Sequence, residues 1–272
     1  MIRREFRGRV ILITGAAGGL GTALCRRYAA AGARIAALDL DAARLGALVT
    51  SLRDNGAEAL AVPCDVTDAD ACKAAVEIAT AHFGALDGLI NNAGISARSL
   101  LQDTETAVIR RIMEVNFFGA VNLTHAALAS IVASKGFFVV ISSVAGFSPL
   151  TGRTAYAASK HALHGFFDSL RTELEGAGVG VTLVCPSFIR TGIGAAAIDG
   201  TGAPVSSPRI TTGGESMPEE VAERIFDAVA AGRRQLLPDA TARKVWWLSR
   251  LAPGLFTRIM KRRIGGEFPG LL

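Results

Sequence analysis

Short, wholly apolar runs alternate along the chain with longer stretches in which apolar residues recur every three or four positions. Residues 9–14 (RVILIT), 34–39 (RIAALD), 58–64 (EALAVPC), 88–94 (GLINNAG), 137–143 (FFVVISS), 180–187 (GVTLVCPS) and 234–239 (RQLLPD) read as seven strands. The intervening stretches 24–32, 41–56, 68–84, two within 104–134, Tyr156 to about Glu175, and 218–232 read as helices. Asn55-Gly56 supplies a stop and Pro218 a start. A strand without polar alternation is one buried on both faces. Strand–helix alternation of this kind predicts an α/β fold, a doubly wound parallel sheet with helices on both sides, in one domain over 1–240. Residues 192–216 are rich in Gly, Ala, Ser, Pro and Thr, and their length predicts a functional lid.

Composition narrows the class. No unbroken apolar run approaches the roughly 20 residues of a membrane span, and the basic N-terminus carries too short an apolar stretch for a signal peptide. A cytoplasmic protein is expected. Cys25, Cys64, Cys72 and Cys185 are scattered, as buried thiols of a reducing compartment would be, and the four histidines show no metal spacing. The net charge of +5 is lopsided. Residues 241–272 hold seven Lys/Arg and one acid, leaving −1 over the first 240 residues. Nucleic-acid binding by the domain is therefore not expected.

The candidate chemistry sits at strand ends. Thr14-Gly15-x-x-x-Gly19-x-Gly21 joins the first strand to the first helix. Glycines there allow a tight turn and close approach of backbone to a pyrophosphate at a helix N-terminus. No P-loop Lys-Ser/Thr follows, which excludes an NTPase of that type. Asp39 ends the second strand, where an acid can bind both adenosine-ribose hydroxyls. Its charge would repel a 2′-phosphate, and Leu40 and Gly18 offer no cation, so NAD is expected over NADP. Asp65 either contacts adenine or serves as a turn or cap residue. Asp41 is the better cap for the second helix. Finally, Tyr156 and Lys160 lie at i, i+4 on one helix face, thirteen residues beyond Ser143 at a strand end. A phenol of pKa about 10 becomes a usable acid/base when a neighbouring cation stabilises the phenolate. A serine hydroxyl beside it can donate to a carbonyl or alkoxide oxygen. Ser142 fails the thirteen-residue spacing.

These motifs, in this order, resemble those of the short-chain dehydrogenase/reductase family: TGAAGGLG (14–21), Asp39, CDV (64–66), NNAG (91–94), VNFFG with Asn116, ISS with Ser143, YAASK (156–160) and PSFIRT (186–191). The resemblance spans about residues 8–240 and implies a Rossmann-type sheet of seven strands. It further implies a catalytic tetrad. Tyr156 would be the acid/base and Lys160 would lower its pKa and hold the nicotinamide ribose. Ser143 would orient the substrate oxygen, and Asn116 would hold a water in a proton relay. Cofactor contacts would come from Gly15, Gly19, Leu20 and Gly21, then Asp39, then Asp65 and Val66. Asn92, Ala93 and Gly94 would follow, with the Asn91 backbone near the adenosine ribose. Tyr156, Lys160, Pro186, Ile189 and Thr191 would complete them. Relatives are often dimers or tetramers, paired through helices in 104–134 and 156–175. One departure stands out: Pro186-Ser187 replaces the usual Pro-Gly. Positive φ is costly without glycine, and Ser187 is expected to project toward the nicotinamide or substrate.

Expected substrate-facing residues are Ile95, Leu100, Val144, Phe147, Leu150 and Phe188, with the lid above. They are mostly apolar and lack a clustered arginine, which predicts a hydrophobic secondary alcohol or ketone. A 3-oxoacyl reductase normally prefers NADPH, an epimerase needs a longer substrate domain, and a non-catalytic NAD-binding protein needs no proton relay. Beyond the core, Leu255, Phe256, Ile259 and Met260 form an apolar stripe opposite Arg258, Lys261 and Arg262, preceded by Trp246 and Trp247. Such a basic amphipathic extension, 241–272, either docks on protein or lies on the inner face of an anionic membrane.

Overall fold

Alternate residues of the central strands are buried against opposite layers. Ile11, Ile13, Ile35, Ala37, Val139 and Ile141 enter one hydrophobic core. Val10, Leu12, Ala36, Leu38, Phe138 and Val140 enter the other. That is why these strands read as unbroken apolar runs. The computed structural model describes residues 4–194, 196–205, 211, 214–264 and 268. Its strands are β1 (Val10–Thr14), β2 (Arg34–Asp39), β3 (Ala59–Pro63), β4 (Gly88–Asn91), β5 (Phe137–Ile141), β6 (Gly180–Val184) and β7 (Gln235–Leu236). They form one parallel seven-stranded sheet in the order β3-β2-β1-β4-β5-β6-β7.

Helices α1 (Gly19–Ala30), α2 (Ala42–Asp54) and α7 (Pro218–Ala230) cover one face of the sheet. Helices α3 (Ala69–Phe83), α5 (Gly119–Ala133) and α6 (Thr154–Leu174) cover the other. Asp41 caps α2 through Arg44 N–H, and Asp68 caps α3. The two helical stretches expected within 104–134 run on as one. Helix α4 (Thr106–Met113) passes through a π turn (Glu114–Phe118) into α5. The whole span Thr106–Ala133 is long and apolar enough to cross a membrane by length and composition. Here Ala120, Leu123, Ala127 and Ile131 on it are buried in the second core.

Strand order reverses between β1 and β4, and a crevice opens there at the strand C-terminal ends. The strands end earlier than their apolar runs: β4 at Asn91, β5 at Ile141, β6 at Val184. The residues that follow leave the ladder and carry the site. The C-terminal extension forms α8 (Ala240–Leu251) and α9 (Pro253–Ile264). All four cysteines are free and buried.

Candidate active site

The glycine turn is packed against the start of β4's loop. Gly15 has φ +60°, and a Cβ on it would stand 3.0 Å from Ala93 Cα. A Cβ on Gly21 would fall 2.0 Å from the Gly15 carbonyl oxygen, so only glycine lets α1 begin this close to the turn. Thr14 Oγ1 accepts from the N–H groups of Asn92 and Ala93, each at 2.9 Å. Asn92 Nδ2 donates back to the Thr14 carbonyl at 2.8 Å. These bonds join β1 to β4 at the switch point and leave the rim of the crevice lined by backbone.

The crevice is a cavity of about 1000 Å³, at the top of the usual range for ligand sites of about 300–1,000 Å³. Beyond the C-terminal ends of β1, β2 and β3 it is lined by Gly15, Gly19, Leu20 and Gly21, then Asp39, Asp65 and Val66. Asn92, Ala93 and Gly94 line its middle, with Pro186, Ile189 and Thr191 opposite. Asn91 turns away; its side chain donates to Thr124 Oγ1 at 3.0 Å inside the second core. Asp39 accepts from Ala17 N–H at 2.9 Å and Asp41 N–H at 3.1 Å, which orients its carboxylate at the rim. One oxygen of Asp65 accepts from Thr67 N–H and Thr67 Oγ1, so it holds a turn, and the residue still lines the cavity.

A cation that spacing did not reveal stands beside Asp39. Arg44, in the first turn of α2, lines the cavity and donates to the Ala17 carbonyl at 2.7 Å. Leu40 and Gly18 carry no charge, as read from the sequence; the cation on this side of the cavity comes from Arg44, which that reading did not weigh. Arg44 reaches back across the turn because α2 starts directly over it, a contact between elements.

At the other end Ser143, Tyr156 and Lys160 line one wall. Lys160 is buried; its ammonium donates to the Ile141 carbonyl at 2.9 Å and lies 5.6 Å from the centre of the Tyr156 ring. Burial pushes its pKa down to about 8, partly opposed by Cys185. Ser143 caps the short turn Val144–Gly146, its oxygen accepting from Ala145 N–H at 3.2 Å. Among the described residues its own hydrogen has no acceptor, so it can be donated. Asn116 sits in the π turn, a helix distortion common at functional sites. Its Nδ2 donates to the Ile95 carbonyl and to Ser159 Oγ, each at 3.0 Å, while its Oδ1 accepts from Ile95 N–H at 2.8 Å. A Cβ on Gly94 would lie 3.1 Å from Asn116 Oδ1 and 3.6 Å from Lys160 Nζ, so the three meet at one point. Asn116 lies behind the cavity wall, clamping the Ile95 loop to α6.

Ser142 also lines the cavity, but its hydroxyl is bonded within the protein. Its hydroxyl donates to the Lys160 carbonyl at 3.3 Å and meets His164 Nε2 at 3.0 Å, with Cys185 Sγ 3.6 Å from the same nitrogen. Burial pushes His164 down to about 4; His161, Arg250 and Arg171 add to this and Asp168 opposes it. A histidine whose folded pKa lies below its unfolded value of about 6.5 contributes stability above pH 6.5 that is lost as pH falls toward 4. Urea unfolding should therefore show stability falling by roughly 3 kcal/mol across that window. The slope should largely vanish in His164→Gln, and an unchanged slope would show that other groups cause it.

Of the expected substrate-facing residues, Ile95, Val144, Leu150 and Phe188 line the cavity, with Ile193 and Ala197 from the lid segment. Leu100 and Phe147 do not. Leu100 precedes a short turn and its carbonyl accepts from Thr104 Oγ1. Phe147 lies edge-on to His164 and under the Arg250 guanidinium at 5.3 Å. Of the segment 192–216, expected to form a lid, residues 195, 206–210 and 212–213 lie outside the described residues. Arg98, Arg111 and Arg153 also line the cavity, so it holds arginines that the sequence reading did not anticipate.

Ser187 behaves differently from expectation. Among the described residues Lys135 is the one non-glycine with positive φ, so Ser187 carries no left-handed strain. Its N–H and Oγ donate to the Asp239 carboxylate at 3.0 and 2.7 Å. Asp239 in turn caps α8 through Ala242 N–H at 2.7 Å. Serine in place of glycine thus ties the cavity wall beyond β6 to the C-terminal extension. The inner sides of α8 and α9 then wall the cavity with Val245, Phe256, Met260 and Ile264. Spacing had grouped Leu255 with Phe256; in the structure Leu255 is exposed and Phe256 is buried.

A short chain dehydrogenase family model matches residues 9–201. A mouse protein described as dehydrogenase/reductase SDR family member 7B is 38% identical over 267 residues, covering 96% of this chain and 83% of that protein. An Anopheles gambiae protein described as dehydrogenase/reductase SDR family protein 7-like is 37% identical, covering 96% and 84%. A short chain dehydrogenase/reductase from Burkholderia phymatum, crystallised in complex with NAD, superposes with a TM-score of 0.83 at 27% identity, covering 93% of this chain and 96% of that one. The family model covers well over half of the chain and the two relatives are more than 30% identical across nearly all of it, so the chain belongs to the short chain dehydrogenase family.

Proposed function

We propose that this oxidoreductase moves a hydride between NAD(H) and a hydrophobic secondary alcohol or ketone, with Tyr156 as acid/base. The observation that carries the reading is the buried Lys160 ammonium, held between the Ile141 carbonyl and the Tyr156 ring on the cavity wall. The glycine turn and the Asp39 carboxylate fit a dinucleotide: Gly15, Gly19, Gly21 and Asp39 all line the cavity, and the turn is packed so tightly that a Cβ on Gly21 would collide with backbone. The nicotinamide supplies the hydride acceptor or donor.

The chain's own residues do the rest. Lys160, still protonated at neutral pH, stabilises the Tyr156 phenolate electrostatically. Tyr156 takes the hydroxyl proton in oxidation and returns it in reduction. Ser143 donates to the substrate oxygen. Asn116, through Ile95 and Ser159, fixes the loop and helix that flank the ammonium. Val144, Leu150, Phe188 and the inner sides of α8 and α9 offer apolar walls to a bulky substrate. Pairing of two copies through α5 and α6 belongs to the same reading, and sedimentation equilibrium tests it.

NADH absorbance with a panel of secondary alcohols and ketones tests the reaction. Bulky apolar members should turn over best; a preference for small polyols would sink the substrate assignment. For the cofactor, Asp39 disfavours a 2′-phosphate while Arg44 stands ready to bind one. Wild type should prefer NAD, and Asp39→Ser should raise kcat/KM with NADP by about 10-fold or more, since relief of one close like-charge contact is of order 1–2 kcal/mol. Adding Arg44→Ala should remove that gain. Wild-type preference for NADP would reverse the assignment.

A further inference from the structure

The helix pair α8 and α9 has two sides of different chemistry. The inner side, with Val245, Phe256, Met260 and Ile264, faces the cavity. The outer side presents Trp247, Leu251 and Leu255, which are 58%, 76% and 49% exposed. Trp247 and Leu251 lie one turn apart on α8, and Leu255 follows in the first turn of α9. Around them, Ala240–Ile264 contains seven Lys/Arg and no Asp or Glu. All seven cations are exposed, Arg243 and Lys244 on α8 and Arg258 and Arg262 on α9 among them.

Large apolar side chains ringed by cations restrict what can cover this surface. A second copy meeting it by two-fold symmetry would set the same uncompensated cations against each other. A nucleic acid would satisfy the cations and leave Leu251 and Leu255 without a role. A bilayer with anionic headgroups satisfies both, because the phosphates meet Lys and Arg while Trp and Leu enter the headgroup–acyl boundary. We propose that the outer side of α8–α9 docks on an anionic lipid membrane. This surface is separate from the catalytic wall, so the proposal stands or falls independently of the reaction assigned to the cleft.

The test is co-sedimentation of the full chain with phosphatidylcholine vesicles, with and without phosphatidylglycerol, at low and high salt. Binding is expected with phosphatidylglycerol, little without it, and less as salt rises. The triple variant Trp247→Ser, Leu251→Ser, Leu255→Ser should lose most binding while keeping the wild-type thermal melt and NADH affinity. Arg258→Glu with Arg262→Glu should lose it by reversing charge alone. Absence of sedimentation with anionic vesicles, or binding undiminished in the triple variant, would overturn the proposal. So would a wild-type dimer that the triple variant converts to monomer, or a DNA duplex bound equally by both proteins.

Discussion

Tyr156→Phe is expected to lower kcat/KM by about 10²–10⁴-fold, the usual contribution of a positioned acid/base, while NADH affinity stays within a few-fold of wild type. The ring that faces Lys160 is kept and only the phenolic oxygen is removed, so the packing of α6 is preserved. Single-turnover reduction of a bulky apolar ketone, followed at the NADH absorbance, measures the first quantity. Fluorescence titration with NADH measures the second. Activity within about a tenth of wild type would mean that the proton comes from another group. Parallel loss of NADH binding would mean that the variant disturbs the cleft and not the proton transfer.

Asp239→Ala should have the next largest effect, although the residue is far from any position the family motifs point to. Its carboxylate accepts three hydrogen bonds, two from Ser187 and one from Ala242. Loss of an N-cap costs about 0.5–2 kcal/mol, and a hydrogen bond to a charged acceptor contributes about 1.5–3 kcal/mol. The hold of α8 on the cavity wall at Ser187 should weaken accordingly. Since each 1.4 kcal/mol is tenfold, KM for a bulky ketone should rise by roughly 10-fold or more. KM for a small ketone and NADH affinity should change little, because neither needs the α8–α9 wall. Ser187→Gly should show a smaller rise, since glycine keeps the N–H that meets Asp239. Equal increases in KM for bulky and small ketones would remove α8–α9 from substrate selection.

Much of this molecule can be read from one dimension because its rules are local. Strands buried on both faces must be apolar throughout, so the seven runs stand out from the amphipathic helices. Asp41 and Asp68 cap helices from the adjacent position, and the i, i+4 spacing of Tyr156 and Lys160 puts both on one face of α6 whatever surrounds it. The glycine turn is legible for the same reason: its crowding arises within the βα unit that contains it.

The remainder depended on which elements meet. Arg44 lines the cavity only because α2 begins over the Ala17 peptide, and Arg98 and Arg153 line it through loops that fold back on it. Ser187 looked like a strained substitution aimed at the nicotinamide, until the close approach of Asp239 across 52 residues gave its hydroxyl a partner. The amphipathic stripe of α9 was visible, but its division into a buried Phe256 and an exposed Leu255 required the cleft against which it packs. Sequence by itself determined the sheet, the dinucleotide turn and the Tyr–Lys pair, since periodicity and spacing act within an element. Tertiary structure decided the walls of the substrate cavity and the partners of its charged residues, because those contacts come from chain segments tens to more than a hundred residues apart.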